Sequence, residues 1–230
     1  MDIVYEDNHL LVVNKPIGWI VQGAQTGQNS LLDLAKSYIK TKYHKPGNVY
    51  LGVVSRLDGP VSGLVPLART SKAASRLSEQ IRIRAVKKVY WAIVTGKPPK
   101  PSDRIEHWLV RQESDTITRV ATRTAPNAQQ AILEYRTLGM STNNSSIDAR
   151  TAQTWLEIEL VTGRKHQIRA QLAAMGCPIL GDAKYGSSIR FSEGIALHCS
   201  RLVFQHPIRE EKLDLKANPP KSWPNWMAKP

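Results

Sequence analysis

Short apolar runs separated by polar or glycine- and proline-bearing turns dominate this chain, and most of them read as strands. Ile3-Val4-Tyr5 and Leu10-Leu11-Val12-Val13, joined by the polar turn Glu6-Asp7-Asn8, predict an opening hairpin that Lys15-Pro16-Ile17-Gly18 breaks. Ser30 and Asp33 have capping-box spacing ahead of Leu31, Leu34, Ala35, Tyr38 and Ile39, a helical stripe ended by His44-Lys45-Pro46-Gly47. Tyr50 to Val54 reads as a buried strand and Leu64 to Ala68 as the next. Ser71 is placed to cap a helix with an apolar face of Ala74, Leu77 and Ile81.

Beyond this helix, Val86 to Val94 alternates as a strand does, and Gly96-Lys97-Pro98-Pro99-Lys100-Pro101 interrupts the pattern. Ala131 to Leu138 and Thr154 to Val161 predict two more strands around a polar loop at 139–152. A helix starts near Lys165 with the stripe Ile168, Leu172 and Met175, and Gly176 suits its left-handed C′ position. Arg169 falls about 100° around from Ile168, at the edge of a cleft. Ile195 to Phe204 is the last expected strand, and the tail with Trp223 and Trp226 is expected to wrap the surface. Many strands, few helices and little βαβ alternation predict an α+β fold: a mixed, mostly antiparallel sheet with flanking helices and a central active-site cleft. The expectation is one domain over 1–230, with the proline-rich stretch dividing lobes 1–96 and 104–230.

Composition adds charge to this picture. Lys plus Arg number 32 against 19 Asp plus Glu, a net charge of +13 over 230 residues, which favours an anionic partner such as a nucleic acid backbone. Cys177 and Cys199 have no metal-ligand spacing and read as reduced, buried small hydrophobes. His166, His198 and His206 have no such spacing either. The N-terminus lacks a secretory pattern, no apolar stretch is long enough for a bilayer, and neither a Gly-x-Gly-x-x-Gly nor a Walker-type loop occurs. These readings point to a soluble, cytoplasmic protein without metal or nucleotide cofactor, and to a monomer by default.

Three segments carry candidate chemistry. Asp58 lies in Ser55-Arg56-Leu57-Asp58-Gly59-Pro60-Val61-Ser62-Gly63-Leu64, where a carboxylate on a strand-end turn can act as nucleophile or general base, or merely stabilise its own turn. Tyr90, in Lys88-Val89-Tyr90, has a ring able to stack on an extruded base, or to fill the core. Thr162-Gly163-Arg164-Lys165-His166-Gln167-Ile168-Arg169 supplies a guanidinium, and Arg56 and Arg169 are candidates to hold the Asp58 carboxylate ionised.

In that order and combination, together with Val13-Asn14-Lys15-Pro16-Ile17-Gly18, Gly181-Asp182, Tyr185-Gly186, Leu197-His198 and His206-Pro207, the motifs resemble the RluA-type pseudouridine synthases of ribosomal and transfer RNA. The resemblance implies an isomerase that breaks the N1–C1′ bond of a uridine, turns the base and rejoins it through C5. It makes Asp58 the catalytic aspartate, Tyr90 the tyrosine packed on the uracil and Arg169 the partner of Asp58. Arg56, Lys88, Arg164 and His166 are the substrate-binding candidates, Arg56 holding the site or filling the space left by the base. It implies structured RNA as partner and neither cofactor nor metal. Attack at C1′, attack at C6 and deprotonation at C2′ stay open.

Two positions depart from the family pattern: Ser55 replaces the usual His and Val61 the usual Thr. They favour the alternative of a catalytically silent RNA-binding relative acting in RNA folding or ribosome assembly, whereas retention of Asp58 favours the enzyme. Many relatives carry an N-terminal S4-type RNA-binding domain, while this chain opens on the catalytic-domain strand. RNA affinity is therefore expected from Arg82, Arg84, Lys87, Lys88, Arg119 and Arg123.

Overall fold

The structure is a computed structural model, and it describes residues 1–23, 29–111, 116–141 and 152–224. Its elements run β1 (Asp2–Glu6), β2 (Leu10–Lys15), α1 (Leu31–Lys42), β3 (Gly52–Val53), β4 (Ser62–Ala68), α2 (Ser71–Arg82) and β5 (Lys87–Thr95). They continue with β6 (Ser102–Val110), β7 (Arg119–Ala121), β8 (Gln129–Met140), β9 (Gln153–Leu160), α3 (Gln167–Ala174), a 3-10 turn (Ala183–Tyr185), β10 (Leu197–Gln205) and β11 (Lys212–Lys216). The class is α+β, as the pattern predicts. Among the described residues no helix is long and apolar enough to cross a membrane.

Two compact units divide the chain, one of Met1–Lys87 with Cys199–Pro220, the other of Lys88–His198 with Lys221–Pro230. The division falls near residue 87, not at the prolines. Residues 96–101 lie within the second unit, where they join β5 to β6, and the chain returns to the first unit through β10.

In the first unit the strand order is β1-β2-β4-β10, with β3 on β4 and β11 on β10. β4 is buried along its whole length. Its Gly63 has φ +116°, and a Cβ there would stand 2.4 Å from both the backbone N and O of Cys199. A glycine is therefore required for β4 and β10 to approach. The Ser30–Asp33 capping box forms as the spacing predicts, and α1 buries Leu31, Leu32, Ala35 and Ile39. Helix α2 differs: Thr70, not Ser71, is the cap, and Ala73 and Leu77 are the buried positions rather than Ala74. The expected strand at 50–54 shrinks to two residues, and Tyr50 is exposed.

A buried polar lock ties the first hairpin to the return strand. His206 Nδ1 accepts the backbone N–H of Ile208 and Arg209, so Nε2 carries the hydrogen and donates to Asp7 Oδ2 at 2.9 Å. Asp7 also accepts the N–H of His9 and Leu10, both at 2.7 Å.

The second unit orders its strands β5-β9-β8-β6-β7, and every one of these neighbouring pairs is antiparallel. Strands β6 and β7 are not foreseen in the sequence pattern, and the loop expected at 139–152 lies mostly outside the described residues. Gly176 takes the expected left-handed conformation, at φ 74°, behind α3. Both cysteines are buried and neither is in a disulfide. Trp223 is buried too, its ring edge-on to His198 at 6.2 Å, so this part of the tail packs inward rather than wrapping the surface.

The Asp7 lock has a pH signature. Burial alone would raise the Asp7 pKa, but the backbone N–H groups of His9 and Leu10, helped by Tyr5 and His206, hold it below the ordinary carboxylate value. The folded state thus binds this proton less well than the unfolded one. The stability so gained is present above the ordinary value and is lost as the pH falls through the folded one. Wild type is expected to lose urea midpoint more steeply than Asp7→Asn between about pH 5 and pH 3; equal slopes would show that Asp7 contributes nothing.

Candidate active site

The Asp58 turn is built on a buried lysine. Lys15, the last residue of β2, has no exposed surface. Its ammonium donates to the carbonyls of Pro16 (3.0 Å), Trp19 (2.7 Å) and Gly59 (3.2 Å), so each of its three hydrogens has an acceptor. Gly59 O accepts in addition the N–H of Gly18 at 2.9 Å, and Val61 N–H donates to Asp58 O at 3.1 Å, closing the turn around Gly59-Pro60. Lys15 pairs with Gly63 in the β2–β4 register, which brings the ammonium to the level of the turn. Burial pushes its pKa down to about 8, and the Asp58 charge pulls it back up. Asp58 is half-buried, Leu57 before it is buried and Arg56 is exposed.

In the second unit the Thr162–Arg169 segment is stapled to β8. Thr162 Oγ1 accepts Ile132 N–H at 2.8 Å and donates to Gln167 Oε1 at 2.8 Å. The Gln167 amide then donates to Ile132 O at 3.0 Å, while its oxygen accepts Arg164 N–H. His166 takes the left-handed conformation, at φ 55°, ahead of α3. The Thr162 and Gln167 side chains thus satisfy the N–H and C=O of Ile132 in β8 and the N–H of Arg164 in the loop.

Arg169 is buried, not at an exposed cleft edge as its helical phase suggests. Its Nε and one terminal nitrogen grip Asp182 Oδ2 and Oδ1 at 2.7 and 2.8 Å, and its guanidinium lies 4.8 Å from the centre of the Tyr185 ring. Tyr185 Oη is 2.8 Å from His166 Nδ1 and accepts Thr118 N–H at 2.9 Å. Burial raises the Tyr185 pKa.

Of the remaining candidates, Tyr90 is buried in β5, Lys88 is half-buried two residues before it, and Arg164 is exposed with Nε donating to Gln130 O at 3.1 Å. The second unit therefore brings His166 and Arg169 together around Tyr185, while Asp58 and Arg56 belong to the first. Lys15, Asp182 and Tyr185 stand within the sequence motifs but carry no role that the sequence assigns, and Thr118 stands outside them. The signal available for Lys15 is a lysine ending an apolar strand before Pro16.

These features belong to a nucleic-acid-modifying enzyme class. Residues 9–174 match the family model described as RNA pseudouridylate synthase, and the chain belongs to that family, whose members are isomerases that turn uridine into pseudouridine in RNA. It is 32% identical over 231 residues to a ribosomal large subunit pseudouridine synthase D of Zymomonas mobilis, covering 96% of this chain and 69% of that one. It is 30% identical over 236 residues to a tRNA pseudouridine synthase C of Pectobacterium carotovorum, covering 97% of this chain but 60% of the relative. The structure of human RNA pseudouridylate synthase domain containing 4 superposes with a TM-score of 0.77 at 27% identity, over 96% of this chain and 89% of that chain.

Replacing Lys15 tests the turn. Lys15→Met leaves three carbonyls without this donor and is expected to cost about 2–4 kcal/mol in urea unfolding. Because its folded pKa is depressed, the unfolded chain holds the proton more tightly, and the wild type should gain stability relative to Lys15→Met as the pH rises above about 8. A constant difference from pH 7 to about pH 10 would show that Lys15 does not titrate there.

Proposed function

We propose that this chain isomerises a uridine in structured ribosomal or transfer RNA, with Asp58 as the essential carboxylate. The observation that carries the reading is the Asp58 turn: a carboxylate just ahead of β4, next to Gly59, whose carbonyl a fully buried ammonium holds, in a chain of the synthase family. Rigidity there serves a reaction whose base must leave its stack before it can be attacked. Arg169 supplies the guanidinium of the reaction and Tyr90 the ring that packs on the uracil. Arg56, Lys88, Arg164 and His166 bind the substrate strand. The N1–C1′ bond breaks, the uracil turns, a C5–C1′ bond forms, C5 gives up its proton and N1 takes one up, with no net redox change. The reading needs no metal or cofactor, and it places a monomer in the cytoplasm.

The names of the relatives, one acting on the large ribosomal subunit and one on tRNA, support both RNA classes. RNA affinity comes from exposed cations of each unit, Arg82, Arg84 and Lys87 in the first and Arg119 and Arg123 in the second. Arg82 is partly neutralised by its pairing with Glu79 at 2.6 Å, and Arg123 lies over the Trp108 ring at 5.4 Å.

Tritium release from RNA labelled at uracil C5 tests the reaction, because every candidate route loses that proton. Release by the wild type and none by Asp58→Ala, on unmodified ribosomal and transfer RNA, is the expected result. RNA binding without release by either protein would favour the silent RNA-binding alternative. For the cationic surface, Arg82→Glu with Arg84→Glu should weaken binding and lower the slope of log K against log salt by about 1 for each phosphate no longer neutralised; an unchanged slope would remove these residues from the interface.

A further inference from the structure

The most enclosed ion pair described in the chain does not involve the residues of the proposed reaction alone. Arg169 and Asp182 expose only 6% and 1% of their side chains. Taking both charges out of water is costly, and such a pair is seldom retained for stability alone. What it provides is orientation: two parallel bonds to the two carboxylate oxygens fix the guanidinium plane.

Three further observations show that this orientation is built from several directions. Asp182 is set by its neighbours, since its N–H donates to Ile179 O at 2.9 Å and its carbonyl accepts the N–H of Tyr185 and Ser187, both at 3.0 Å. Gly181 before it has φ +85°, and a Cβ there would stand 2.4 Å from Gly194 O and 2.6 Å from Phe191 Cβ, so the loop has one conformation to offer. The Tyr185 ring, under the guanidinium, packs on the buried cluster Leu109, Ala131 and Ala170. Its hydroxyl reaches Thr118, whose own Oγ1 donates to Lys165 O at 3.0 Å, so the start of β7 and the turn into α3 are held by one phenol.

We propose that Asp182 and Tyr185 are positioning residues that set the guanidinium of Arg169 for its part in uridine isomerisation: Asp182 fixes its plane and Tyr185 its height. Because the guanidinium is rigid and planar, the two bonds from Nε and one terminal nitrogen to Asp182 set the direction of all its N–H groups at once. This inference rests on the activity proposed above, in which Arg169 supplies the guanidinium. Neither residue acts on RNA directly, and both act through Arg169.

The test has two independent readouts. In protein labelled with 15N at arginine Nε, the Arg169 resonance is identified by its loss in Arg169→Lys. Wild type is expected to show this Nε–H protected from solvent exchange. Tyr185→Phe, which keeps the ring, retains the protection; Asp182→Asn and Tyr185→Leu lose it. In single-turnover tritium release, Asp182→Asn is expected to slow the step about 10- to 100-fold, with RNA affinity within about twofold of wild type. In an Arg169→Lys background Asp182→Asn should add no further loss, because the two residues act as one unit. An unprotected Nε–H in wild type, an Asp182→Asn protein with normal protection and rate, or losses that multiply in the double variant would each overturn the proposal. Should Asp182→Asn not fold, Tyr185→Leu probes the same platform without leaving a charge unpaired. If the wild type binds RNA and releases no tritium, the activity reading fails, and the exchange measurement still decides whether Asp182 and Tyr185 hold Arg169.

Discussion

A lysine with no exposed surface is the constraint on which the first unit depends. Its ammonium cannot be left in the core without acceptors, and no carboxylate accepts from it in a described hydrogen bond; three backbone carbonyls do. Two of them, of Pro16 and Trp19, curl the chain just after β2. The third, of Gly59, draws in a segment 44 positions away. The hydrophobic strand β2 thus ends on a charge that gathers the turn carrying Asp58. The β2–β4 register places Gly63 opposite Lys15, and the bare backbone of Gly63 lets Cys199 of β10 close against it. A shift in any of these strands would leave the ammonium or a carbonyl unmatched.

The second unit solves the same problem with the opposite polarity and with side chains. The Thr162 and Gln167 side chains bond the N–H and C=O of Ile132 in β8, and Gln167 also accepts the N–H of Arg164, so the loop into α3 is tied to the sheet. With the loop so held, α3 starts where Arg169 meets Asp182 and the Tyr185 ring. Each unit therefore uses a buried charge to fix local geometry: Lys15 holds the turn beside Asp58 in the first, and Asp182 holds the guanidinium of Arg169 in the second. Buried charges are poor sources of stability, and their use here fits sites where geometry matters more than net energy.

The elements that short-range rules govern were legible: the opening hairpin, the Ser30–Asp33 cap, the strands around Tyr90, Leu133 and Ile158, and the left-handed Gly176. Errors of one residue arose where adjacent positions fit equally well: either hydroxyl of Thr70 and Ser71 can cap α2, and both Ala73 and Ala74 lie at helical spacing from the buried Leu77. Strand β6 was missed because charged residues interleave with only two deeply buried apolar ones, Ile105 and Leu109. The burial of Arg169 was missed for a deeper reason. Helical phase set it beside the apolar stripe, but its partner lies 13 residues on, beyond the end of the helix. Long-range polar pairing leaves no periodicity to read, and the same is true of Lys15 and Gly59.

The departure from the family pattern at position 61 can be weighed on this basis. A threonine at position 61 would offer a hydroxyl to the Asp58 turn, and Val61 offers none. The turn is nevertheless closed by the backbone bond from Val61 N–H to Asp58 O, and it is anchored by the two donors on Gly59 O. None of these three bonds depends on the side chain at position 61. Val61 is buried to 3% exposure, where an apolar side chain packs without leaving a hydroxyl to satisfy. The supports of the turn are therefore backbone and Lys15, and the loss of one hydroxyl subtracts nothing from them.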